Sequence, residues 1–143
     1  DEVVMTDHEY SSGFNELARM ALSHGVRVVR ARVPFPISDP GVVADNVIAC
    51  ITPRTRLVVM SHITSATSLV LPVEPVVREC NRRGIDVLVD GAHSPGQTPI
   101  DVSALDPTFF VGSLHKWVSA PKGTAFLYVR PDRRKGFRTL CLS

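Results

Sequence analysis

The sequence predicts an α/β fold, a three-layer sandwich with a mostly parallel sheet between helices and an antiparallel last strand. Short apolar runs rich in β-branched residues alternate with segments of helical periodicity, an order that builds parallel βαβ units. The last two apolar runs are joined by a loop without a full-length helix, so the final strand should run antiparallel to its neighbour. A length of 143 residues, with 44% hydrophobic and 21% charged residues, is typical of one globular domain.

The chain opens with a strand and a helix. Residues 2–7 (EVVMTD) are an apolar run that ends in polar residues, and residues 11–25 then repeat apolar side chains at helical spacing. Ser11 or Ser12 is expected to cap this helix, and Gly25 is expected to end it. These two segments form the first βα unit of the predicted sheet.

The next two units follow the same order. Residues 26–33 (VRVVRARV) predict a strand, and residues 38–51 predict a helix that starts at an Asp-Pro pair. Residues 56–62 predict the third strand, and residues 72–84 predict a helix that a glycine ends. The repeated alternation is the pattern of a parallel sheet.

Three further strands complete the sheet. Residues 85–93 (IDVLVDGAH) predict a buried strand that breaks at Asp90, and residues 107–113 and 124–130 predict the last two strands. Sheets of this kind bind ligands at the carboxyl ends of their strands, so the polar residues after each strand should converge on one edge. These residues are Asp7, His8, residues 61–65, Asp90, His93, Ser113, His115 and Lys116.

Charge and cysteine content narrow the function classes. The formal net charge of +2 gives no reason to expect nucleic acid or an anionic membrane as a partner, and no apolar run approaches the roughly 18 residues of a membrane span. Cys50, Cys80 and Cys141 are odd in number, widely spaced and without CxxC spacing. We therefore expect no disulfide framework, no metal site and a reducing, cytoplasmic setting.

An acid and a lysine at neighbouring strand ends suggest the chemistry of this edge. Asp90 ends one predicted strand and Lys116 lies just after the next, the arrangement expected of a pyridoxal 5'-phosphate (PLP) site. In such a site the lysine forms a Schiff base with the cofactor and the acid pairs with its pyridine nitrogen. The ordinary alternatives are a solvent-exposed lysine and a turn aspartate.

The motifs around these residues are more specific. The stretch VDGAHSPGQTPIDVSAL, followed by FFVGSLHKWVSAPKGTAFLYVR, closely resembles the PLP-binding core of the class V aminotransferase family of fold type I, especially its isopenicillin N epimerase-like branch. Upstream, TDHEY (6–10) and ITSAT (63–67) resemble stretches of the same branch. The resemblance spans nearly the whole chain.

The resemblance implies a role for each residue that matches a motif. Lys116 corresponds to the Schiff-base lysine, and Asp90 to the partner of the pyridine nitrogen. His93 stands where the family has a His or Gln near the phenolic oxygen of the cofactor. Ser113 and His115 match the residues that bind the cofactor phosphate.

Three further positions follow from shorter matches. His8 aligns with the aromatic residue that stacks on the cofactor ring in related cysteine desulfurases. Thr64 or Ser65 falls where a polar side chain contacts the phenolic oxygen, and the choice between them stays open. Trp117 is expected to pack in the core behind the site, and Lys122 is expected to be solvated.

The length of the chain leaves more than one function compatible with the resemblance. Members of the family are much longer, so residues 1–143 are expected to be the central part of the PLP-binding large domain, without the N-terminal segment and the C-terminal small domain. The resemblance implies a PLP-dependent enzyme, a homodimer when complete, that acts at Cα of an amino acid or amine by epimerisation, transamination or lyase chemistry. The alternatives are a truncated, non-catalytic remnant and a relative of the cysteine desulfurases and C–S lyases. Cys141 lies too close to Lys116 to match a desulfurase nucleophile.

Overall fold

The computed structural model of the protein describes residues 1–138 and contains a six-stranded sheet flanked by helices. The strands are β1 (Glu2–Thr6), β2 (Arg27–Ala31), β3 (Thr55–Ser61), β4 (Asp86–Gly91), β5 (Phe109–Ser113) and β6 (Ala125–Val129). The helices are α1 (Ser11–His24), α2 (Gly41–Ala49), α3 (Val73–Arg83) and α4 (Val102–Leu105), and a 3-10 turn covers Pro131–Arg133. Cys141 lies outside the described residues.

The topology of the sheet confirms the predicted fold class. The strand order is β2-β1-β3-β4-β5-β6, in which β1 to β5 are parallel and β6 is antiparallel to β5. Every strand and long helix that the sequence predicts is present, with ends that differ by three residues at most. Among residues 1–138, no helix is long and apolar enough to cross a membrane.

The main core lies between one face of the sheet and the helices α2 and α3. Alternate side chains of a strand point to opposite faces, so Val4, Val58 and Phe110 share one face and are fully buried there. They pack in one cluster with Val47 of α2 and Val76 of α3. This side of the sheet holds the strand ends in place, and the site described below depends on them.

The opposite face of the sheet carries α1. Met5, Val59 and Leu88, which alternate with the core residues, line a cavity together with Gly13 and Leu17 of α1. None of the fourteen residues of α1 is buried. Among the described residues, this face is therefore packed more loosely than the face under α2 and α3.

The ends of α1 give one wrong prediction and one confirmed prediction. The helix begins at Ser11 itself, Tyr10 occupies the N-cap position, and no side chain caps the helix there. The prediction of a cap at Ser11 or Ser12 is therefore wrong, because the serines lie in the first turn. Gly25 ends the helix in the left-handed conformation, with φ of 66°.

The short helix α4 has no predictive signal in the sequence. Four residues are too few to show a helical repeat of apolar side chains. Its start is nevertheless fixed by an ordinary cap, since the Asp101 carboxylate accepts hydrogen bonds from the backbone N–H groups of Ser103 and Ala104.

Two paired glycines leave room for aromatic rings at the ends of β4 and β5. Gly91 and Gly112 lie opposite each other in the ladder. A Cβ atom on Gly91 would lie 2.0 Å from a ring carbon of Phe110, and one on Gly112 would lie 2.2 Å from a ring carbon of Phe126. The two rings stack with centroids 6.0 Å apart. Gly91 thus lets the end of β4 lie directly on a buried ring.

Candidate functional site

The carboxyl ends of the parallel strands bring several predicted residues to one small cavity. Asp90 at the end of β4, His93 two residues beyond that strand and Lys116 after β5 line it together. Its volume is about 30 Å³. The complete lining is Tyr10, Ser61, Ile63, Ser65, Asp90, Ala92, His93 and Lys116.

Lys116 and His93 are in direct contact. The Nζ atom of Lys116 lies 3.1 Å from Nε2 of His93, and the indole N–H of Trp117 donates to Nδ1 of the same ring at 3.2 Å. Removal from water lowers the pKa of His93, and the charge of Lys116 lowers it further, whereas Asp90 acts in the opposite direction. The uncharged imidazole is therefore the favoured form beside Lys116.

Trp117 differs from its prediction. It is 53% exposed rather than buried in the core, so the prediction that it packs behind the site is wrong. Its ring lies 6.3 Å from that of His93, at an angle of 53°. The aromatic signal in the sequence gave no direction for the side chain, and the indole nitrogen is what brings it to His93.

Asp90 also shapes the turn that carries His93. One oxygen of its carboxylate accepts a hydrogen bond from the backbone N–H of Ala92 at 2.9 Å, and its carbonyl accepts one from the N–H of His62. The turn role that an aspartate often has is therefore present here. It coexists with a place in the lining of the cavity.

Ser113 and His115 form a second polar pair on the same loop. The hydroxyl of Ser113, which is buried, lies 3.1 Å from Nδ1 of His115. The same nitrogen lies 3.0 Å from the carbonyl oxygen of Thr124, which holds the exposed ring against the start of β6. The two residues are brought together, but neither lines the cavity around Lys116.

The structure separates the two neighbouring candidates at residues 64 and 65. Thr64 is buried, and its hydroxyl is bonded to Thr67 at 2.8 Å and to the backbone N–H of Leu69 at 2.9 Å. Ser65 is exposed and lines the cavity with Lys116. The Thr64 hydroxyl is thus engaged within its own loop, whereas Ser65 faces the site.

His8 lies apart from that cavity. Its Nδ1 atom is 3.0 Å from a carboxylate oxygen of Asp7, and its ring centroid is 6.5 Å from that of Phe35. The aromatic residue of the TDHEY stretch that lines the cavity is Tyr10, which is 55% exposed. Asp7 also accepts a hydrogen bond from the backbone N–H of Val33.

Glu9 belongs to the same edge and was missed by sequence reasoning. Its carboxylate accepts hydrogen bonds from the hydroxyl of Thr6 at 2.6 Å and from the backbone N–H and hydroxyl of Ser61 at 3.0 and 2.5 Å. Removal from water raises its pKa, and the charge of Asp90 adds to that effect. The signal was available, because Glu9 follows a strand end as Asp7 and His8 do.

A larger cavity adjoins the small one. It has a volume of about 270 Å³, and apolar side chains of the sheet and α1 form most of its wall. Tyr10 and Asp90 line both cavities. Within residues 1–138, no group of three or more His, Cys, Asp or Glu residues is placed to hold a metal ion.

Fold and site together define a class of protein. A mostly parallel sheet that presents an acid and a lysine at adjacent strand ends is the large-domain arrangement of PLP-dependent enzymes. The family model described as aminotransferase class-V matches residues 1–142, and the chain belongs to this family.

Several curated proteins contain a region that is similar in sequence to this chain. The chain is 39% identical over 132 residues to isopenicillin N epimerase of Streptomyces clavuligerus, which covers 92% of this chain and 33% of that protein. It is 34% identical over 140 residues to putative L-cysteine desulfhydrase 2 of Oryza sativa subsp. japonica, covering 92% of this chain and 29% of that protein. The chain therefore spans about a third of the length of these relatives.

Solved structures share the fold. The cystine C-S lyase C-DES, in complex with its product cysteine persulfide, superposes with a TM-score of 0.81 at 31% identity, over 92% of this chain and 35% of that one. A lysine mutant of C-DES with glycine covalently linked to its PLP cofactor gives a TM-score of 0.80 at 30% identity, over the same shares. The cysteine desulfurase CsdA of Escherichia coli gives 0.80 at 25% identity, over 91% and 32%.

Proposed function

We propose that the chain forms the PLP-binding core of an enzyme that acts at Cα of an amino acid or amine. The observation that carries the proposal is the contact of Lys116 Nζ with His93 Nε2 at 3.1 Å, in a cavity that Asp90 also lines. Family membership and the PLP cofactor of the C-DES structure support it.

The donor set fits the cofactor in chemical type. Lys116 would hold it covalently through Nζ, since an amine reacts with the cofactor aldehyde. Asp90 would pair with the pyridine nitrogen, and the Ser113 hydroxyl and His115 imidazole would donate to the phosphate. His93 and Ser65, which line the same cavity, would face the phenolic oxygen. Stacking of His8 on the ring stays a prediction from the resemblance, and it would require His8 to leave its place beside Asp7, because His8 does not line this cavity.

Each residue would have a definite task in the reaction. The cofactor, when bound, supplies an electron sink for the charge left at Cα when a bond to that carbon breaks. Lys116 Nζ would take the Cα proton and return it, because Lys116 supplies the side-chain amine in the lining of this cavity.

The small cavity must enlarge for this function. About 30 Å³ is the room of roughly one water molecule, which is less than a pyridine ring needs. Tyr10 is more than half exposed and lies between this cavity and the one of about 270 Å³. Binding would therefore require the Tyr10 side chain, which lines both cavities, to move.

The names of the relatives favour two different candidate reactions. The epimerase favours proton exchange at Cα, and the desulfhydrases and the C-S lyase favour cleavage of a carbon–sulfur bond. A desulfurase also needs a reactive thiolate. Burial raises the pKa of Cys80 to about 11 and also raises the pKa of Cys50, so neither thiol is suited to that task.

The first experiment tests covalent cofactor binding. The protein is mixed with PLP and reduced with borohydride, which makes the link permanent, and the modified residue is located by peptide mass spectrometry. We expect one pyridoxyl phosphate on Lys116, lost in Lys116→Ala and kept in Lys122→Ala, the matched control on the same loop. Modification of several exposed lysines, unchanged in Lys116→Ala, would refute the assignment and support the non-catalytic remnant.

The second experiment distinguishes the reaction types. Protein that carries PLP is incubated in D₂O with single amino acids, and loss of the Cα proton signal is followed by NMR together with sulfide release. Exchange at Cα without sulfide supports proton chemistry such as epimerisation, and sulfide release from cysteine supports C–S cleavage. The parallel assay with Lys116→Ala gives the background rate.

The assembly and compartment are also proposals. We propose a homodimer in the cytoplasm, and the absence of a disulfide at Cys50 and Cys80 is compatible with a reducing compartment. Sedimentation at several protein concentrations measures the assembly, and a monomer at all of them would refute the dimer.

A further inference from the structure

Two hydrogen bonds meet on the ring of His93. Trp117 reaches Nδ1 and Lys116 reaches Nε2, at 3.2 and 3.1 Å. An indole N–H can only donate a hydrogen bond, so Nδ1 must act as the acceptor. A neutral imidazole has one acceptor nitrogen and one N–H, and the proton must therefore be on Nε2.

We propose that Trp117 is a positioning residue that fixes His93 in the tautomer with its proton on Nε2, so that His93 presents a hydrogen-bond donor to Lys116. An ammonium group has three donors and no acceptor, whereas an uncharged amine can accept. In this tautomer the Nε2–H of His93 points to Lys116 Nζ at 3.1 Å, and it can donate a hydrogen bond there when the lysine is the amine that reacts with an aldehyde.

The backbone holds Trp117 in the required place. Gly96, with φ of 84°, lies three residues after His93 in the loop that follows β4, and a Cβ atom on it would be 2.8 Å from the carbonyl oxygen of Trp117 and 3.2 Å from its Cβ. The turn after β4 and the loop after β5 therefore touch through a glycine. This contact brings the backbone of Trp117 close to the turn that carries His93, although Trp117 is 53% exposed.

Loss of the indole N–H has a predictable effect on the ring. Without that donor, His93 can carry its proton on Nδ1 and accept at Nε2 from the ammonium form of Lys116. Protonation of His93 also no longer breaks a hydrogen bond at Nδ1, so its pKa should rise. Such a substitution leaves the titratable residues that line the cavity besides His93 and Lys116 in the protein. These residues are Asp90 and Tyr10.

The consequence for catalysis rests on the proposed function, but the tautomer itself does not. The experiment therefore uses the protein without cofactor, with ¹⁵N-labelled histidine and long-range ¹H–¹⁵N NMR, which distinguishes the two tautomers directly. The chain has five histidines, and the His93 signals are assigned by their loss in His93→Gln. His24 on α1, which contacts the carbonyl of Met20, is the internal control.

We expect His93 to carry its proton on Nε2 in the wild-type protein. In Trp117→Phe, which keeps an aromatic ring, we expect a mixture of tautomers and a rise in the pKa of His93 by about half to one unit. Gly96→Ala keeps the indole but displaces Trp117, and it should shift the tautomer in the same direction. The signals of His24 should not change in either variant, which shows that the effect does not extend to α1.

Two results would overturn the inference. One is a wild-type His93 with its proton on Nδ1, and the other is an Nε2 tautomer that persists unchanged in Trp117→Phe. Failure of PLP to attach to Lys116 would instead refute the proposed function and leave the tautomer assignment standing. The two failures are thus distinguishable.

Discussion

At the residue scale, the ionisation of Glu9 can be tested through the pH dependence of stability. Its carboxylate is removed from water and lies in the field of Asp90, and both effects raise its pKa above the ordinary value of 4.5. The folded state therefore binds more protons than the unfolded chain above that value. The contribution of Glu9 to stability is largest in acid and falls as the pH rises through the raised pKa.

Glu9→Gln should remove this pH dependence. An uncharged amide keeps an acceptor for Thr6 and the Ser61 N–H and cannot ionise, so the variant should gain stability relative to the wild type between about pH 4.5 and pH 7. Urea unfolding followed by circular dichroism at both pH values gives the difference. Groups with lowered pKa values, such as Asp7, cancel in the comparison.

Glu74→Gln is the matched control for this prediction. Glu74 is an exposed residue of α3 that pairs with Arg78, so the same chemical change there measures the effects of a Glu-to-Gln substitution that do not depend on burial. Equal pH profiles for Glu9→Gln and the wild type would show that Glu9 does not titrate differently in the folded state.

The sequence predicted which residues converge, but not how their side chains are directed. Asp90, His93 and Lys116 were predicted to meet because each follows a strand of a parallel sheet, and they line one cavity. The contact of Trp117 with His93 and the burial of Glu9 depend on rotamers and loop geometry. The periodicity of a sequence carries no information about either.

At the element scale, the end of β4 is held by a close approach to the ring of Phe110. Gly91→Ala would place a methyl group 2.0 Å from a ring carbon of a fully buried side chain. Because the ring has no free space to move into, we expect a loss of about 1–3 kcal/mol in the free energy of unfolding. Denaturant unfolding of the variant measures it.

Two further variants make that prediction specific. Gly13→Ala is the same chemical change in α1, where a Cβ atom meets nothing within 4 Å, and it should stabilise the protein by roughly 0.5–1 kcal/mol. Gly91→Ala should cost less stability when residue 110 is smaller. The difference in free energy of unfolding between Gly91→Ala/Phe110→Leu and Phe110→Leu should therefore be smaller than that between Gly91→Ala and the wild type. An unchanged free energy of unfolding in Gly91→Ala would contradict the prediction and mean that β4 and the ring of Phe110 can move apart at little cost.

The elements themselves were largely predictable. Runs of β-branched residues and glycine stops fixed the strands and the end of α3, where Gly84 adopts φ of 69°. The direction of β6 was predictable because the loop between β5 and β6 is too short to contain the crossover helix that a parallel strand needs. The start of α1 was not predictable, since consecutive serines offer two possible caps and the helix uses neither.

At the scale of the whole molecule, the two faces of the sheet differ in packing. The face under α2 and α3 contains the main cluster of buried residues, whereas α1 on the other face has none. The apolar spacing of residues 11–25 predicted a helix, but Leu22, one of its apolar side chains, is 90% exposed. Periodicity predicts that a helix is amphipathic, and the depth of its burial depends on what lies above the sheet.

This asymmetry predicts an uneven distribution of stability. Opening of a helix costs little where few apolar contacts are lost, so α1 should open locally while α3 opens only with the core. In native-state hydrogen exchange we expect amides of α1 to be protected at least about tenfold less than those of α3, whose residues Val76 and Val77 are almost fully buried. The amides of β3 and β4, inside the sheet, serve as the reference for global unfolding. Equal protection in α1 and α3 would mean that the helix is coupled to the core through the sheet, and the cavity of about 270 Å³ beneath α1 would then be no weak point of the fold.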